Sequence, residues 1–340
     1  MSRKPVVMIT GANGEIGHGL IDRLARQGKH SIVTLDVNPL DAQLLPQVAQ
    51  AFSGSILDEQ LLSRILSEFE VDLIFHLAAL LSTRSEFAPV TAHQVNVEGT
   101  LKLLEFAQKQ GESHGRSVIF MYPSSIAAYG LSDLAEKRRA GKVKEGQYNQ
   151  PTTMYGCNKL YCEHLGRYYA QHYKQLSAET GVGKVDFRCI RFPGLISAHT
   201  VPSGGTSDYA PEMLHAAASR KPYACFVRDD TCIPFMAMPD SVEALLKLAA
   251  APRSRLSQCV YNIGAFSPSA SELRALVLSY FPEAKITTAI HPQRQGIVDS
   301  WPADVDDTAA RRDWGFENQY DLQRAFRDYL IPAITKRYAS

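Results

Sequence analysis

The chain has 340 residues, with 36 lysines and arginines against 35 aspartates and glutamates. A balance that close leaves no electrostatic footprint for nucleic acid or for an anionic membrane surface. With 45% hydrophobic residues the chain can build a large core, as one α/β unit or two lobes, and no apolar run approaches the ~20 residues of a membrane span. The apolar run after Arg3 and Lys4 is short for a signal peptide, and with a first strand near Val6 we expect no cleavable transit peptide. Six cysteines without a C-x-x-C pair, and no H-E-x-x-H, lead us to expect reduced thiols, no metal and a cytoplasmic location.

Val6-Val7-Met8-Ile9 reads as a short buried strand that runs into TGANGEIG (10–17). Gly11, Gly14 and Gly17 stand three apart there, and Ile16, Leu20, Ile21 and Leu24 open an amphipathic helix. Glycines in such a turn let a pyrophosphate approach bare backbone, and the helix N-terminus offers N–H donors. A second strand, Ser31-Ile32-Val33-Thr34-Leu35, ends in Asp36, placed to accept from a ribose 2′-hydroxyl and to repel a 2′-phosphate. The reading is therefore a dinucleotide site that prefers NAD. A glycine turn without a ligand would not need all four features in this order.

Next come a short strand near Gln50-Ala51-Phe52, a helical stretch over 61–69 and a buried strand, VDLIFH (71–76). A helix over about 92–110 carries Val95, Val97, Leu101, Leu104 and Ala107, and SVIFM (117–121) makes another strand. Residues 131–150 read as a polar loop, 153–176 as a long helix and 185–190 as a further strand. This alternation predicts α/β architecture: a Rossmann doubly wound parallel sheet with ligand at the strands' carboxyl ends. From Pro193 the alternation decays, which predicts a smaller C-terminal substrate-binding lobe. We place a dinucleotide-binding Rossmann domain at 1–192 and the lobe at 193–340, some of its segments returning to the first domain.

Tyr155 and Lys159 stand four apart near the start of the long helix, so they share a face. A phenol is a poor base at neutral pH, and a neighbouring ammonium favours its phenolate. Ser124 and Ser125 directly follow a strand, where a hydroxyl can hold a substrate oxygen while Tyr155 takes its proton. Each pattern alone arises by chance, and Ser-Ser after a strand is usually a helix cap. Their order behind a nucleotide-binding half makes them a candidate catalytic set. His76 reads as structural or cofactor-adjacent, and Cys157 and Cys162 as core packing. AEKRRAGKVK (135–144) reads as solvated surface rather than a nucleic-acid patch.

TGANGEIG, HLAA (76–79), PSSIAAYG (123–130) and YGCNK (155–159) together resemble the extended short-chain dehydrogenase/reductase superfamily. That resemblance implies Ser125 as catalytic hydroxyl, Tyr155 as general base and Lys159 as its electrostatic partner. It extends the cofactor positions from Gly11, Asn13, Gly14, Glu15, Ile16, Gly17 and Asp36 to Ser55, Ile56, Leu77, Ala78, Ala79, Asn96, Tyr155, Lys159 and Pro193. Asn96 matches an asparagine that holds a water relay. A frequent Gly-Asp-Ile reads Gly54-Ser55-Ile56 here, which removes a carboxylate from the adenine.

IRFPGLIS (190–197), PSGGTSDYA (202–210), DDTCIPFMAMPD (229–240), YNIGAFSPSASEL (261–273) and DSWPADVDDTAARRDWGF (299–316) are similar to short-chain L-threonine dehydrogenases. PTTMYG (151–156) and HLAALLS (76–82) share that similarity. The implied reaction is NAD-dependent oxidation of the L-threonine β-hydroxyl to 2-amino-3-oxobutyrate. The implied substrate contacts are Ser82, Ser124, Ser125, Tyr155, Gly194 and Thr206. Thr83-Arg84-Ser85 departs from that pattern at the substrate mouth, and 131–150 and 175–184 are longer than its usual loops. Tyr161, Leu165, Tyr168, Tyr169 and Tyr173 suggest a homodimer through the 92–110 and 153–176 helices. A nucleotide-sugar epimerase is the competing enzyme, but Arg191-Phe192-Pro193-Gly194 lacks its diphosphate-gripping asparagine. An NAD-holding sensor is the non-enzymatic alternative, and such proteins tend to lose the tyrosine or lysine kept here.

Overall fold

The computed structural model describes residues 3–176, 183–202 and 204–339. Among them the chain builds a seven-stranded parallel sheet from β1 (Val6–Thr10), β2 (Ser31–Asp36), β3 (Gln50–Ser53), β4 (Val71–His76), β5 (Val118–Ser125), β7 (Val185–Phe192) and β11 (Val260–Asn262). Their order is β11-β7-β5-β4-β1-β2-β3. The order reverses between β1 and β4, and there a crevice opens at the carboxyl ends of the strands. All five residues of β1 are buried, as expected of a central strand covered on both faces.

Alternate side chains of β1 feed two cores. Val7 and Ile9 pack with Leu20, Ile21 and Leu24 of α1 (Glu15–Gln27) and with Leu245 and Leu248 of α9 (Met238–Ala250). Val6 and Met8 face Leu62 of α2 (Glu59–Glu68), Leu104 of α5 (Gly99–His114) and Cys162 of α7 (Met154–Gln171). A third core, with Tyr209, Phe235 and Phe326 among its largest members, gathers the later part of the chain around Ile126, Tyr129, Leu131 and Val143 from before α7. Short parallel pairs surround it: β6 (Lys142–Val143) with β13 (Asp304–Val305), β8 (Gly194–Ile196) with β10 (Phe235–Ala237), and β9 (Tyr223–Cys225) with β12 (Ile286–Thr288).

The elements depart from the sequence reading in a few places. The stretch 131–150 is not a plain loop. It holds α6 (Leu134–Ala140), capped by the Asp133 side chain on Glu136 N, and then β6. Four of its basic residues have partners: buried Lys137 donates to Val298 O at 2.9 Å, Arg139 pairs with Glu136, and Arg138 and Lys142 reach Asp230 and Asp304. The helix expected over 92–110 is divided into α4 (Pro89–His93), a π-helical turn over Gln94–Glu98, and α5. The helix expected over 153–176 ends at Gln171, and residues 177–182 of the expected long loop lie outside the described residues. Cys157 is exposed rather than packed, while Cys162 is buried, and both are free thiols. On the expected dimer face Tyr161 and Tyr168 are exposed, but Tyr169 is buried and donates its hydroxyl to Glu105. No helix among the described residues is long and apolar enough to cross a membrane.

Gly17 lets α1 start against its own turn. A Cβ there would lie 2.4 Å from the carbonyl oxygen of Ala12. Gly17→Ala should therefore destabilise the fold by about 1–3 kcal/mol. A urea denaturation midpoint unchanged from wild type would contradict this.

Candidate active site

The nucleotide cradle follows from the backbone. Gly11 has φ +67°, and a Cβ on it would lie 2.6 Å from Ala78 N, so the glycine turn and the Leu77–Ala79 segment touch only because the side chain is missing. At Gly14 the nearest such atom is Gly11 O at 3.3 Å, and no side chain caps the first turn of α1 behind it. Free N–H groups at a helix start, approached through glycine, suit a pyrophosphate. Asp36 accepts Asn13 N and Asn38 N at 3.0 Å each, which fixes its carboxylate against the turn. The Asn13 amide braces the same corner through Pro39 O at 2.8 Å and Asp41 N at 3.0 Å. The residues present fit a dinucleotide.

The rest of the cradle is braced from below. Asn96, in the π-helical turn, is buried and holds both Leu80 N (2.8 Å) and Leu80 O (3.0 Å). His76 bridges Thr10 and Thr100 at 2.8 and 2.9 Å, and burial pushes its pKa down to about 3, so it is a neutral strut. Ser55 accepts Leu57 N at 3.1 Å, whereas Ile56 is buried against Gly99 and belongs to the core. Glu15 accepts a hydrogen bond from the Ser197 hydroxyl, whose oxygen also accepts His199 N at 2.9 Å. Sequence reasoning had not found that link to the later half.

Thr153 caps Gly156 N at 3.1 Å, and Glu86 accepts Met154 N at 2.7 Å, so the start of α7 is tied to α3 (Ser82–Phe87). Lys159, one turn beyond Tyr155, donates to Pro123 O at 2.7 Å. Its Nζ stands 5.4 Å from the centre of the Tyr155 ring and 4.6 Å from that of Tyr122. Burial pushes the lysine down to about 8 and the Tyr155 phenol well above its ordinary range. In the protein by itself, then, burial outweighs the help expected from the ammonium. Ser124 and Ser125 separate: Ser124 is buried and donates to Glu163 at 2.5 Å, while half-buried Ser125 accepts Ala127 N at 3.2 Å. Ser124 is thus withdrawn from the expected substrate contact.

The mouth brings together residues far apart in the chain. Thr206 donates to Ser82 at 3.4 Å, and Thr83 to Gly204 O at 3.0 Å, so both link α3 to the 204–208 turn. Gly205 is held by Asp208 (2.6 Å to its N) and by Arg294 (2.5 Å to its O). Arg294, which no motif had marked, also lies over the Phe226 ring and 3.5 Å from Glu212. Gly194 has a packing reason, since a Cβ there would lie 2.6 Å from the Phe235 ring. Pro193 joins β7 to β8.

Glycine turn, acidic β2 end, and a Tyr-x-x-x-Lys helix beside the β5 serines together define an extended short-chain dehydrogenase/reductase. Residues 7–264 match the NAD dependent epimerase/dehydratase family, and the chain belongs to it. It is 34% identical over 317 residues to the mitochondrial L-threonine 3-dehydrogenase of Bos taurus, covering 93% of this chain and 79% of the relative. An L-threonine dehydrogenase structure from Clostridium difficile superposes with TM-score 0.85 at 30% identity, each chain covered in full. A structure described as a monomeric L-threonine 3-dehydrogenase from a metagenome gives 0.84 at 30%, covering 98% and 99% of the two chains.

Asn96→Ala would leave the N–H and C=O of Leu80 without their partners. We expect a loss of about 1–3 kcal/mol in stability and weaker dinucleotide binding. Chemical denaturation and a fluorescence titration with NADH measure the two, and a stable variant with wild-type affinity would exclude this brace.

Proposed function

We propose that the chain oxidises the β-hydroxyl of L-threonine with NAD, giving 2-amino-3-oxobutyrate. The observation that carries this reading is the meeting of Ser82 and Thr206 at the mouth, beside the helix that bears Tyr155. Relatives over nearly the whole chain named L-threonine 3-dehydrogenase support it. NAD, when bound, supplies the hydride acceptor and a positive ring charge. Tyr155 takes the hydroxyl proton, Ser125 holds the oxygen, and Lys159 steadies the phenolate and reaches the ribose. Ser82 and Thr206 orient the amino acid. Asp36 selects NAD, because a 2′-phosphate beside it would face a like charge at a cost of several kcal/mol. Exposed Leu101, Tyr161 and Tyr168 on α5 and α7 support pairing of two copies, which sedimentation velocity measures.

NADH formation with L-threonine but not D-threonine tests the substrate. L-serine should be slow rather than inert, since one methyl is worth about 1–3 kcal/mol. No turnover of L-threonine beside turnover of a nucleotide sugar would reject the assignment. Equal kcat/KM with NAD and NADP would remove Asp36 from the ribose.

Tyr155→Phe should lower kcat by about 10²–10⁴-fold and leave NAD binding in place. A variant retaining wild-type turnover would remove Tyr155 from proton transfer. The Lys159 charge is fully present below about pH 8 and fades as pH rises through it, while rising pH favours loss of the Tyr155 proton. Oxidation should therefore climb from neutral pH and level off in the alkaline range. Lys159→Met should move the rising limb upward by about one pH unit or more, and an unmoved limb would exclude the electrostatic role.

A further inference from the structure

Beneath the serine shelf lies a buried ion pair that the chemistry above does not use. Glu163 and Lys159 stand one turn apart on α7 and grip successive residues of β5. Lys159 donates to Pro123 O at 2.7 Å, and Glu163 accepts the Ser124 hydroxyl at 2.5 Å. The next residue is Ser125. Strand pairing brings in the third party, since Arg191 of β7 is the register partner of Ser124. Its guanidinium meets Glu163 with both arms, Nε to Oε1 at 2.8 Å and Nη2 to Oε2 at 2.6 Å, and both side chains are buried. Arg191 is itself held by Glu145 O at 3.1 Å and lies over the Tyr129 ring, whose hydroxyl donates to Asn262 at 2.8 Å.

A buried ion pair often stabilises no more than an apolar filling of the same volume. Its place under the reacting groups is better explained by what it does to its neighbours. We propose that Glu163 is a positioning residue: clamped by Arg191, its carboxylate latches α7 to β5 and keeps the Lys159 ammonium charged and pinned beside Tyr155. This rests on the Tyr155–Lys159 chemistry proposed above.

The groups that face Lys159 give the sign. His76 of β4 is neutral, Tyr122 of β5 and Tyr155 are phenols, and Cys162 of α7 and Cys189 of β7 are thiols that burial keeps protonated. Glu163 is the carboxylate among the groups that support the ammonium, against the burial that discharges it. Removing its charge also uncovers Arg191, and both changes drive a proton off Lys159. Tyr155 then loses the cation that steadies its phenolate.

The test is the ionisation of Tyr155, read as the tyrosinate absorbance of each protein minus that of its Tyr155→Phe counterpart, with and without NAD. In Glu163→Gln it should move upward by about half a pH unit or more. With L-threonine, kcat should fall by about 10–10²-fold while the KM for NAD stays close to wild type. Glu163→Asp keeps the charge but not the reach, so ionisation should stay near wild type while kcat still falls. Ser124→Ala leaves the ion pair intact and should likewise lower kcat without moving the titration. These two variants decide the matter if the glutamine protein does not fold, and wild-type kcat in both overturns the proposal. A folded Glu163→Gln with wild-type kcat and ionisation and only a lower Tm overturns it too, leaving a purely structural pair. A wild-type protein that does not turn over L-threonine removes the substrate reading alone, because the tyrosinate titration needs no substrate.

Discussion

The structure depends on the close contact between the backbones that leave β1 and β4. The two strands are neighbours in the sheet but send their chains to opposite faces, and the segments separate within a few residues of their last ladder bonds. Gly11 and Ala78 touch there at distances that no side chain would permit. That contact sets the floor of the nucleotide crevice, and the surrounding polar groups brace it. Thr10, His76 and Thr100 form a chain of hydrogen bonds through the sheet beneath it, and Asn96 fixes Leu80 just beyond. The π-helical turn makes sense here, because one widened turn brings the Asn96 amide to Leu80 while the helix continues into α5.

Buried charge in this molecule is concentrated where elements must hold a fixed distance. Arg188 spends its guanidinium on three carbonyls, those of Leu248, Ala249 and Ala251, and so terminates α9 against β7. Arg191, three residues on in the same strand, pairs with Glu163 of α7. Neither arginine is free to meet a ligand. The first turn of α1, by contrast, has no side-chain cap on its N–H groups.

Much of this was legible in sequence, for definable reasons. Strands such as Val6–Thr10 and Val71–His76 are short apolar runs between turn signals, and glycine at 11, 14 and 17 marks backbone that must come close to something. The acid at 36 is found by counting, because a βαβ unit has little freedom in length. The interruption at 94–98 was not legible, since a π-turn changes the hydrogen bonding and leaves the apolar periodicity nearly intact. Nor was α6, whose helix rests on an Asp133 cap and on one buried lysine rather than on an apolar stripe. The two serines illustrate the limit most clearly. Nothing in Ser124-Ser125 says which hydroxyl turns inward, because that is decided by a carboxylate 39 residues away.

The mouth carries the same lesson into specificity. Its walls come from α3, the 204–208 turn and α11 (Pro292–Asp299), joined by contacts spanning 89 to 124 residues of chain. The 204–208 turn meets α3 and α11 through polar contacts, while α11 is also seated in the later core by Val298. Thr83, a residue that departs from the resembled pattern, donates its hydroxyl to Gly204 O and so joins α3 to that turn. Tyr155 and Lys159 are held differently. Lys159 is anchored on a β5 carbonyl, and the start of its helix is fixed by Thr153 and by Glu86 of α3, so α7 is tied both to the sheet and to α3. One sheet can keep its backbone frame while the segments beyond its carboxyl ends differ from one relative to another.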